Sequence, residues 1–452
     1  MTFFSRIHRR WKEQTAIYPW HFIGFIIAAM LIPKFYDLSN VFWIGKMSFD
    51  SLAITKQYEF IGVTIEIVNE MIPFGILALV AQNYKNREKI LEILKAGLII
   101  QLAFSLVVMG IVIGFTPTFV STIGTPVSIV NETTTFLVLK SIALPFESIA
   151  ILLLIGIKSM QKGKEALYLV FVSVITNMVL DLLLISNFSF SLHLGLRGVA
   201  IGYVISKIVL MIISLIFITR LLEIDWKSYV ILPWRNYVSP LFSIGGWTGL
   251  DSLVRNAGYI GTLMVLNAMG TAQFGGYGLA MAVMWTLIIP VLALGEGTSV
   301  IVGNYFGERK INEMKSVVLT SLILIIGFMA IIAVSGVFWW TPLSQFFNKN
   351  PAMVGFSVTT FWWLIIPYCF FGVSTIIRSI FFGTGQTRYI FYLGCIANFL
   401  IIIPFVVLVK LGIIEATFEN VMIQFVIVFL CDPIIGYLFA RRLIKRIEAN
   451  TI

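Results

Sequence analysis

The sequence is poor in charged residues. Only 12% of its 452 residues are Asp, Glu, Lys or Arg, whereas 59% are hydrophobic. Soluble domains carry about 25% charged residues, so the composition excludes an ordinary soluble domain and indicates a polytopic membrane protein in contact with a lipid bilayer. The formal net charge is +10, but the basic residues are spread over short loops without a dense patch. We therefore expect no binding to nucleic acid.

Cysteines and the common catalytic motifs are also scarce. Cys369, Cys395 and Cys431 fall inside apolar runs, and we interpret them as packing residues because they lack metal-ligand spacing and a disulfide framework. The sequence contains no Walker-type phosphate loop, no nucleophile elbow and no His/Cys metal cluster. We therefore expect neither enzyme activity nor a cofactor, and we expect any transport to draw its energy from an ion gradient.

Long apolar runs are abundant. A membrane-spanning helix needs about 20 predominantly apolar residues, and twelve such runs predict an all-α polytopic membrane protein with twelve transmembrane helices. The predicted spans 1 to 12 are residues 17–45, 58–82, 90–116, 131–158, 165–187, 196–221, 238–269, 274–304, 312–340, 352–383, 388–410 and 418–440. The first run follows a basic N-terminus but lacks a small-residue cleavage site, which favours a first membrane helix over a removed signal peptide.

The lysines and arginines predict the orientation of the chain. Most of the 32 lie at the two termini or at the ends and connections of spans 2–3, 4–5, 6–7, 8–9 and 10–11. Cytoplasmic loops carry the excess of positive charge in membrane proteins. We therefore expect both termini to be cytoplasmic, in the inner membrane of a bacterial or archaeal cell. We also expect the protein to be a monomer.

The two halves of the chain resemble each other. Pro145 and Pro367 are 222 residues apart, and so are Gly163 and Gly385. Duplicated bundles of the same topology typically rock about a site near the membrane midplane. We therefore predict two pseudo-symmetric six-helix bundles, divided at the most polar long connection. The predicted boundaries are an N-lobe at 1–222, a cytoplasmic linker at 223–237 and a C-lobe at 238–452.

Two polar pairs interrupt the apolar runs. Asp37 and Asn40 are three residues apart in span 1, and Asn177 and Asp181 are four apart in span 5, so each pair shares one helix face. Ionisable groups at membrane depth usually face a bundle interior and mark function. We predict that the pairs meet in one cavity and bind a small cation, Na⁺ or H⁺. The alternative is that they form hydrogen bonds between helices that hold the bundle together.

Further ionisable residues inside the spans predict a polar network that faces this cavity. Lys34 could instead pair with Asp37 and hold it ionised, and Asp251 and Arg255, four apart, could simply form an internal ion pair. Pro33 precedes Lys34 and could act as a hinge of span 1 when the site changes charge. The other candidates for the network are Glu66, Glu70, Lys140, Glu147 and Glu296.

Four short motifs resemble those of the multidrug and toxic compound extrusion (MATE) family. Residues 302–307 (VGNYFG) resemble the family's Gly-Gln-x-x-Gly signature after helix 8, and residues 80–84 (VAQNY) resemble its copy after helix 2. Residues 382–388 (FGTGQTR) are similar to the family's Gly-x-Gly-Asp-Thr-Arg after helix 10. Residues 194–200 (LGLRGVA) resemble its entry into helix 6. The resemblance covers nearly the whole chain.

The resemblance also implies site residues. The family carries a Tyr-Asn-x-x-Asp pattern on helix 1, where this sequence has Tyr36, Asp37 and Asn40, so the acid and the amide are exchanged by one helical turn. Asn177 and Asp181 match the family's Asn-x-x-x-Asp on helix 5. NorM-like members have a second cation site with acids on helices 7 and 10. Asp251 could match the first of these, but residues 362–382 contain no acid, which favours a DinF-like member with coupling in the N-lobe.

The resemblance and the acids together predict a secondary antiporter. It would export organic cations or amphiphilic drugs in exchange for H⁺ or Na⁺ by alternating access, because two carboxylates in one low-dielectric cavity do not both ionise readily and a cation would compete with substrate. The alternative is a flippase of the same superfamily for lipid-linked oligosaccharide or peptidoglycan precursors, which would need a cationic cavity for pyrophosphate. Lys34, Lys140 and Arg255 favour that alternative.

Overall fold

The chain folds entirely into helices and their connections. The structure is a computed structural model that describes residues 18–449 except 46, 48–50, 123, 124, 126 and 187, and the described ranges contain no strand. Helices dominate because the membrane interior offers no water to satisfy backbone N–H and C=O groups, which a helix pairs internally. The predicted all-α class is confirmed.

Seventeen α-helices make up the described chain. In the first half they are α1 Trp20–Gly45, α2 Ser51–Lys56, α3 Tyr58–Gln82, α4 Arg87–Thr122, α5 Val130–Ser141, α6 Leu144–Ser159, α7 Gly163–Leu184, α8 Gly195–Leu221 and α9 Trp226–Ile231. In the second half they are α10 Val238–Met269, α11 Thr271–Leu287, α12 Ile289–Gly307, α13 Ile311–Phe347, α14 Pro351–Thr384, α15 Arg388–Cys395, α16 Ile403–Lys410 and α17 Phe418–Glu448. A 3-10 turn, Trp234–Tyr237, precedes α10, and a π-helical segment, Ile396–Ile402, joins α15 to α16.

These helices account for the predicted spans. By length and composition, eight described stretches could each cross a membrane, and two bent helix pairs, α5 with α6 and α11 with α12, bring the number to ten. The two remaining predicted spans coincide with α1 and α10, which have 26 and 32 residues. Both exceed the roughly 20 residues that a span needs. The protein is a multi-pass membrane protein.

Three of the predicted spans are irregular, and each irregularity lies beside a proline. The bent pairs turn by 40° and 44°, and Pro145 and Pro290 lie in the first turn of the second helix of each pair. Pro404 lies in the first turn of α16, directly after the π-helical segment. Proline has no N–H, and its ring excludes the carbonyl four residues earlier. By contrast, α1 and α14 continue through Pro33 and Pro367.

The chain forms two compact units. We call residues 24–249 the N-unit, and we call residues from Leu250 onward, with the described residues before Gly24, the C-unit. The predicted linker, 223–237, and the start of α10 belong to the N-unit. The lobe boundaries predicted from the sequence stay a prediction.

Aliphatic side chains fill the interior of the N-unit. Ile72 and Ile76 of α3, Leu94 of α4 and Leu152 of α6 are almost completely buried and belong to one cluster. Membrane helices associate through such close packing, and Gln101 of α4 adds a polar link by donating its side-chain amide to the Val68 carbonyl at 2.9 Å. These contacts hold α3, α4 and α6 together.

Hydrogen bonds satisfy both ends of α9, the helix of the predicted linker. Asp225 caps the start of the helix by accepting hydrogen bonds from the Ser228 hydroxyl at 2.7 Å and the Lys227 amide at 3.2 Å, which hold the pKa of Asp225 below its usual value. At the other end, the buried Lys95 ammonium donates to the carbonyls of Tyr229 and Val230 at 2.7 Å each. Lys95 thus satisfies carbonyls that the end of a helix leaves without partners.

The close packing of Gly245 of α10 gives a testable prediction for the N-unit. A Cβ at this position would overlap the backbone carbonyl of Met71 on α3, whereas at Gly246 it would meet only the Met71 methyl at 4.0 Å. We expect Gly245→Ala to destabilise the protein by about 1–3 kcal/mol through overpacking. We expect Gly246→Ala to be neutral or slightly stabilising, because alanine favours a helix by about 1 kcal/mol over glycine. Thermal unfolding in neutral detergent would measure both, and equal melting temperatures would contradict this packing.

Candidate functional site

Helices α1 and α7 meet at a buried carboxylate. The Tyr36 hydroxyl of α1 donates a hydrogen bond to Asp181 Oδ2 of α7 at 2.9 Å. Asp181 is only 5% exposed and Asn177, one turn earlier on α7, is 7% exposed. The structure therefore brings together Tyr36 and Asp181, and it places Asn177 and Asp181 on the buried side of one helix. An ionisable side chain buried in a membrane-spanning helix marks a candidate ion or substrate site.

Asp37 makes a different contact. Its Oδ2 lies 3.2 Å from the Lys34 ammonium one turn earlier on α1, and both side chains are more than half exposed. This is the ion pair that the sequence offered as the alternative for Asp37. Asp37 is therefore in a more open position than Asp181, which is 5% exposed.

Asn40 supplies an oxygen for which the described part of the chain offers no hydrogen-bond donor. Its side-chain Oδ1 is buried, and the residue lies one turn after Tyr36 on α1. An unsatisfied buried polar atom costs about 1–3 kcal/mol, so a bound donor or cation beside Asn40 would be stabilised. This property fits a ligand for Na⁺, a hard cation that prefers oxygen.

A second polar cluster lies where α5 and α6 are broken apart. Glu147, in the first turn of α6, accepts hydrogen bonds on Oε1 from the Tyr203 hydroxyl at 2.7 Å and from the Lys207 ammonium at 2.8 Å, both on α8. Lys140, in the last turn of α5, lies 3.9 Å from the centre of the Tyr58 ring. An anion at the start of a helix and a cation at the end of a helix are both stabilised by the helix dipole. The break therefore stabilises both charges.

Glu66 and Glu70 lie one turn apart on α3, and both are half-buried. The Glu70 backbone carbonyl accepts a long hydrogen bond, 3.4 Å, from Thr248 of α10. These two acids belong to the N-unit, but their place in the predicted network stays a prediction.

The C-unit contains its own charge cluster. The Asp251 carboxylate of α10, 4% exposed, lies 3.1 Å from an Arg255 nitrogen and 3.9 Å from an Arg378 nitrogen of α14. Arg378 also holds Asp432 of α17 at 2.8 Å, and Ser374 donates to the same carboxylate. Arg378 thus joins two acids from different helices. Asp251 and Arg255 were candidates from the sequence, but Arg378 and Asp432 were not. Arg378 lies inside predicted span 10 and Asp432 inside span 12, where any charged residue indicates a possible functional site.

Close helix contacts surround this cluster. Gly394 of α15 packs against the Asp251 carboxylate, where a Cβ would clash. Asn398, in the π-helical segment, donates its side-chain amide to the Gly394 carbonyl at 2.8 Å and packs its side-chain oxygen against Gly258 of α10. Glu296 of α12 lies half-buried between two glycines, and the following one, Gly297, packs against Ile23.

Clusters of metal-binding side chains are absent from the described ranges. No group of three or more His, Cys, Asp and Glu side chains there could hold a metal ion, and the three cysteines are free and half-buried. The candidate chemistry is therefore that of paired carboxylates, amides, phenols and ammonium groups inside a helical bundle.

Solved structures share the fold of this chain. A MOP superfamily transporter from Pyrococcus furiosus matches with a TM-score of 0.84 and 15% identity, covering 96% of both chains. A variant of the Vibrio cholerae MATE transporter VcmN matches with a TM-score of 0.84 and 15% identity, covering 96% of this chain and 98% of that one. The fold is that of a multi-pass membrane transporter.

The family follows from the sequence comparison. The MatE family model matches residues 26–183 and 250–408, and the chain belongs to the MATE family. Its members are transporters and not enzymes. The two matches begin 224 residues apart (250 − 26), which agrees with the internal repeat predicted from prolines and glycines.

A curated relative is similar over much of its length. The "Probable multidrug resistance protein YoeA" of Bacillus subtilis (strain 168) is 23% identical over 326 residues, which cover 69% of this chain and 68% of that protein. The comparisons do not favour the flippase alternative.

The Arg378 contacts generate a prediction on stability. Removing one partner of a buried ion pair costs about 3–5 kcal/mol because the other charge remains buried. We expect Arg378→Gln and Asp432→Asn to lower the melting temperature strongly. The matched control is Lys315→Gln, which removes an exposed ion pair between Lys315 and Glu448 and should cost at most about 1 kcal/mol. Thermal unfolding in detergent would measure all three, and similar shifts would contradict a buried role for Arg378.

Proposed function

We propose that this protein is a secondary antiporter that exports organic cations and other amphiphilic drugs in exchange for H⁺ or Na⁺ by alternating access. The proposal includes the inner membrane of the cell, cytoplasmic termini and a monomer as the working unit. The observation that supports it best is the hydrogen bond from Tyr36 to the buried Asp181, because it links two helices through a group whose charge changes when a cation binds. The resistance role printed for the Bacillus subtilis relative supports the substrate class.

In the proposed cycle, Asp181 receives the coupling cation. A proton would neutralise the carboxylate directly. Na⁺ would need several oxygens, which the carboxylate of Asp181 and the amide oxygens of Asn40 and Asn177 would supply, with Asp37 at the open edge of the site. Binding of a cationic substrate to the same region is then disfavoured, and by linkage each ligand promotes release of the other.

The proposed coupling lies in the N-unit, as in a DinF-like member. The support comes from Arg378 of the C-unit. It contacts Asp432 at 2.8 Å and Asp251 at 3.9 Å, so a fixed guanidinium already lies beside these two acids of that unit. The described residues of α14 include no carboxylate that could complete a cation site of the NorM-like kind.

The proposed coupling can be tested by replacing Asp181. We expect Asp181→Asn to reduce gradient-driven efflux of ethidium from proteoliposomes on the order of tenfold or more, since coupling between sites is typically worth 5- to 150-fold. Tyr36→Phe should give a smaller loss, because it removes one hydrogen bond and keeps the charge. The exposed Glu88 of α4 provides the control Glu88→Gln, which should transport like wild type. Sodium and proton gradients imposed separately would identify the ion, and full coupled efflux by Asp181→Asn would contradict the proposal.

Pro33 provides a second test, of the proposed hinge in α1. Proline in a helix interior removes one backbone hydrogen bond, so bending there needs less energy than in a regular helix. We expect Pro33→Ala to slow efflux and alter its dependence on the ion gradient while the protein stays folded. Unchanged efflux rates and ion dependence in the same proteoliposome assay would exclude the hinge.

A further inference from the structure

The short helix α9 exposes apolar side chains along one side, although it lies in the predicted linker and outside the predicted spans. Trp226, Val230 and Ile231 are 56%, 73% and 82% exposed. Each residue of an α-helix advances by about 100°, so these side chains lie within half a turn of one another, with the exposed Lys227 among them. Neighbouring exposed apolar residues mark a surface of interaction, because their contact with water is unfavourable.

The opposite side of α9 is polar. Asp225, Ser228 and Tyr229 line a groove of about 630 Å³ together with Arg87 and Leu91 of α4. The helix therefore has a polar side next to α4 and an apolar side away from the groove. A helix with one apolar side, one polar side and a basic residue is typical of segments that lie in the plane of a membrane interface.

Two basic residues of α4 hold the linker at different depths. Arg87, the first residue of α4, donates from Nε to the Leu222 carbonyl at 2.7 Å. Lys95 donates to the carbonyls of Tyr229 and Val230 at 2.7 Å each. Lys95 lies about two turns, or about 12 Å, further along α4 than Arg87. The linker therefore runs along α4 from its first turn toward the middle of the helix.

The charges of α4 place Lys95 at the edge of the hydrocarbon core. Residues 87–95 include five charged side chains, whereas residues 96–115, up to the polar Thr116, include none. This uncharged stretch extends about 30 Å, which is about the thickness of the hydrocarbon core. A lysine at such an edge extends its ammonium toward the headgroups. Because Lys95 holds the backbone of α9, the exposed Val230 and Ile231 lie at the boundary between headgroups and acyl chains.

The charges of the linker also fit a lipid surface. Its two acids are engaged within the protein, since Glu223 pairs with α4 at 3.2 Å and Asp225 caps α9. Its two basic residues, Lys227 and Arg235, are exposed. Lysine and arginine near a membrane surface attract anionic headgroups, and tryptophan, here Trp226, is enriched at membrane–water interfaces.

We propose that α9 is an interfacial helix. Trp226, Val230 and Ile231 insert into the boundary between headgroups and acyl chains of the membrane that the protein spans, and Lys227 and Arg235 favour anionic lipids there. The partner of this surface is the lipid bilayer. The inference concerns the N-unit alone and is independent of the substrate and of the coupling ion.

Spin labels would measure the depth of α9. The cysteines Cys369, Cys395 and Cys431 lie outside the N-unit and would be replaced by alanine in the full-length protein. A nitroxide at Ile231→Cys would then be studied in liposomes of phosphatidylcholine and phosphatidylglycerol, with molecular oxygen as the apolar relaxant and a nickel chelate as the aqueous one. We expect this label about 5–10 Å inside the boundary, and the control Lys89→Cys, in the exposed first turn of α4, in water.

A second control lies on α9 itself. Ser228→Cys lies on the groove side, so the nickel chelate should reach its label more readily than the label at Ile231→Cys. A label at Ile231→Cys as accessible to nickel as that at Lys89→Cys would overturn the proposal. A label that neither relaxant reaches would also overturn it, because another protein segment or a second copy would then cover the helix.

Tryptophan fluorescence provides a measurement that keeps the native cysteines. The emission lost in Trp226→Phe is the signal of that one side chain. In the same liposomes, we expect lipids brominated near the carbonyl end of the acyl chain to quench this signal more than lipids brominated near the methyl end. No quenching by either lipid would place Trp226 in water or against protein and would contradict an interfacial α9.

The role of the basic residues has its own arm. We expect the label at Ile231→Cys to move deeper when phosphatidylglycerol is added to phosphatidylcholine, because Lys227 and Arg235 are attracted to the anionic headgroups. The double variant Lys227→Gln with Arg235→Gln should remove this dependence on lipid charge. A depth that responds equally in both proteins, or in neither, would overturn the preference for anionic lipids.

Discussion

A charge inside a membrane-spanning helix must have a partner in contact, because the cost of an isolated ion in low-dielectric surroundings exceeds what packing can offset. This constraint explains most of the polar contacts between helices in the protein. Arg378 holds Asp432, Lys207 holds Glu147, and the two bonds cross between helices far apart in sequence. The neutral phenol of Tyr36 does the same for Asp181. In the proposed mechanism, a partner that is a hydroxyl and not a fixed charge leaves the carboxylate able to receive an exchangeable cation.

The two units satisfy this constraint differently. In the C-unit, guanidinium groups that are permanently charged neutralise Asp251 and Asp432, so the charges balance within the protein. In the N-unit, Asp181 has a phenol partner at 2.9 Å, and Asn40 presents an oxygen for which the described residues offer no donor. The C-unit thus carries internal counter-ions for these acids, whereas our proposal assigns the balancing charge of the N-unit site to a bound ion.

Residue spacing predicts contacts within one helix, but it does not predict contacts between helices. Lys34 with Asp37 and Asp251 with Arg255 follow from spacings of three and four residues, and the structure contains both pairs. The spans themselves follow from apolar length. Tyr36 and Asp181 are 145 residues apart, and no local pattern predicts their hydrogen bond, although the polar pairs of spans 1 and 5 led us to expect these two helices to meet.

The missed residues share a physical cause. Neither Arg378 nor Asp432 has an opposite charge three or four residues away in its own helix, so their pairing becomes visible only once α14 and α17 pack together. Pro145 and Pro290 lie inside predicted spans, where proline predicts a kink, and both helix pairs bend there. Proline predicts a weakened turn, but whether the helix bends or stays straight, as at Pro367, is decided by its neighbours.

The π-helical segment between α15 and α16 changes which face of the helix each later residue occupies. A π turn contains one more residue than an α turn, and each residue of an α-helix advances by about 100°. Residues after Ile402 therefore present their faces one position out of step with residues before Ile396. If residues 388–410 are treated as one regular α-helix, the residues of the last two turns are assigned to the wrong faces. Deleting one residue from the segment would restore the regular helical period. It would also rotate residues Pro404 to Lys410 about the helix axis by more than a quarter of a revolution.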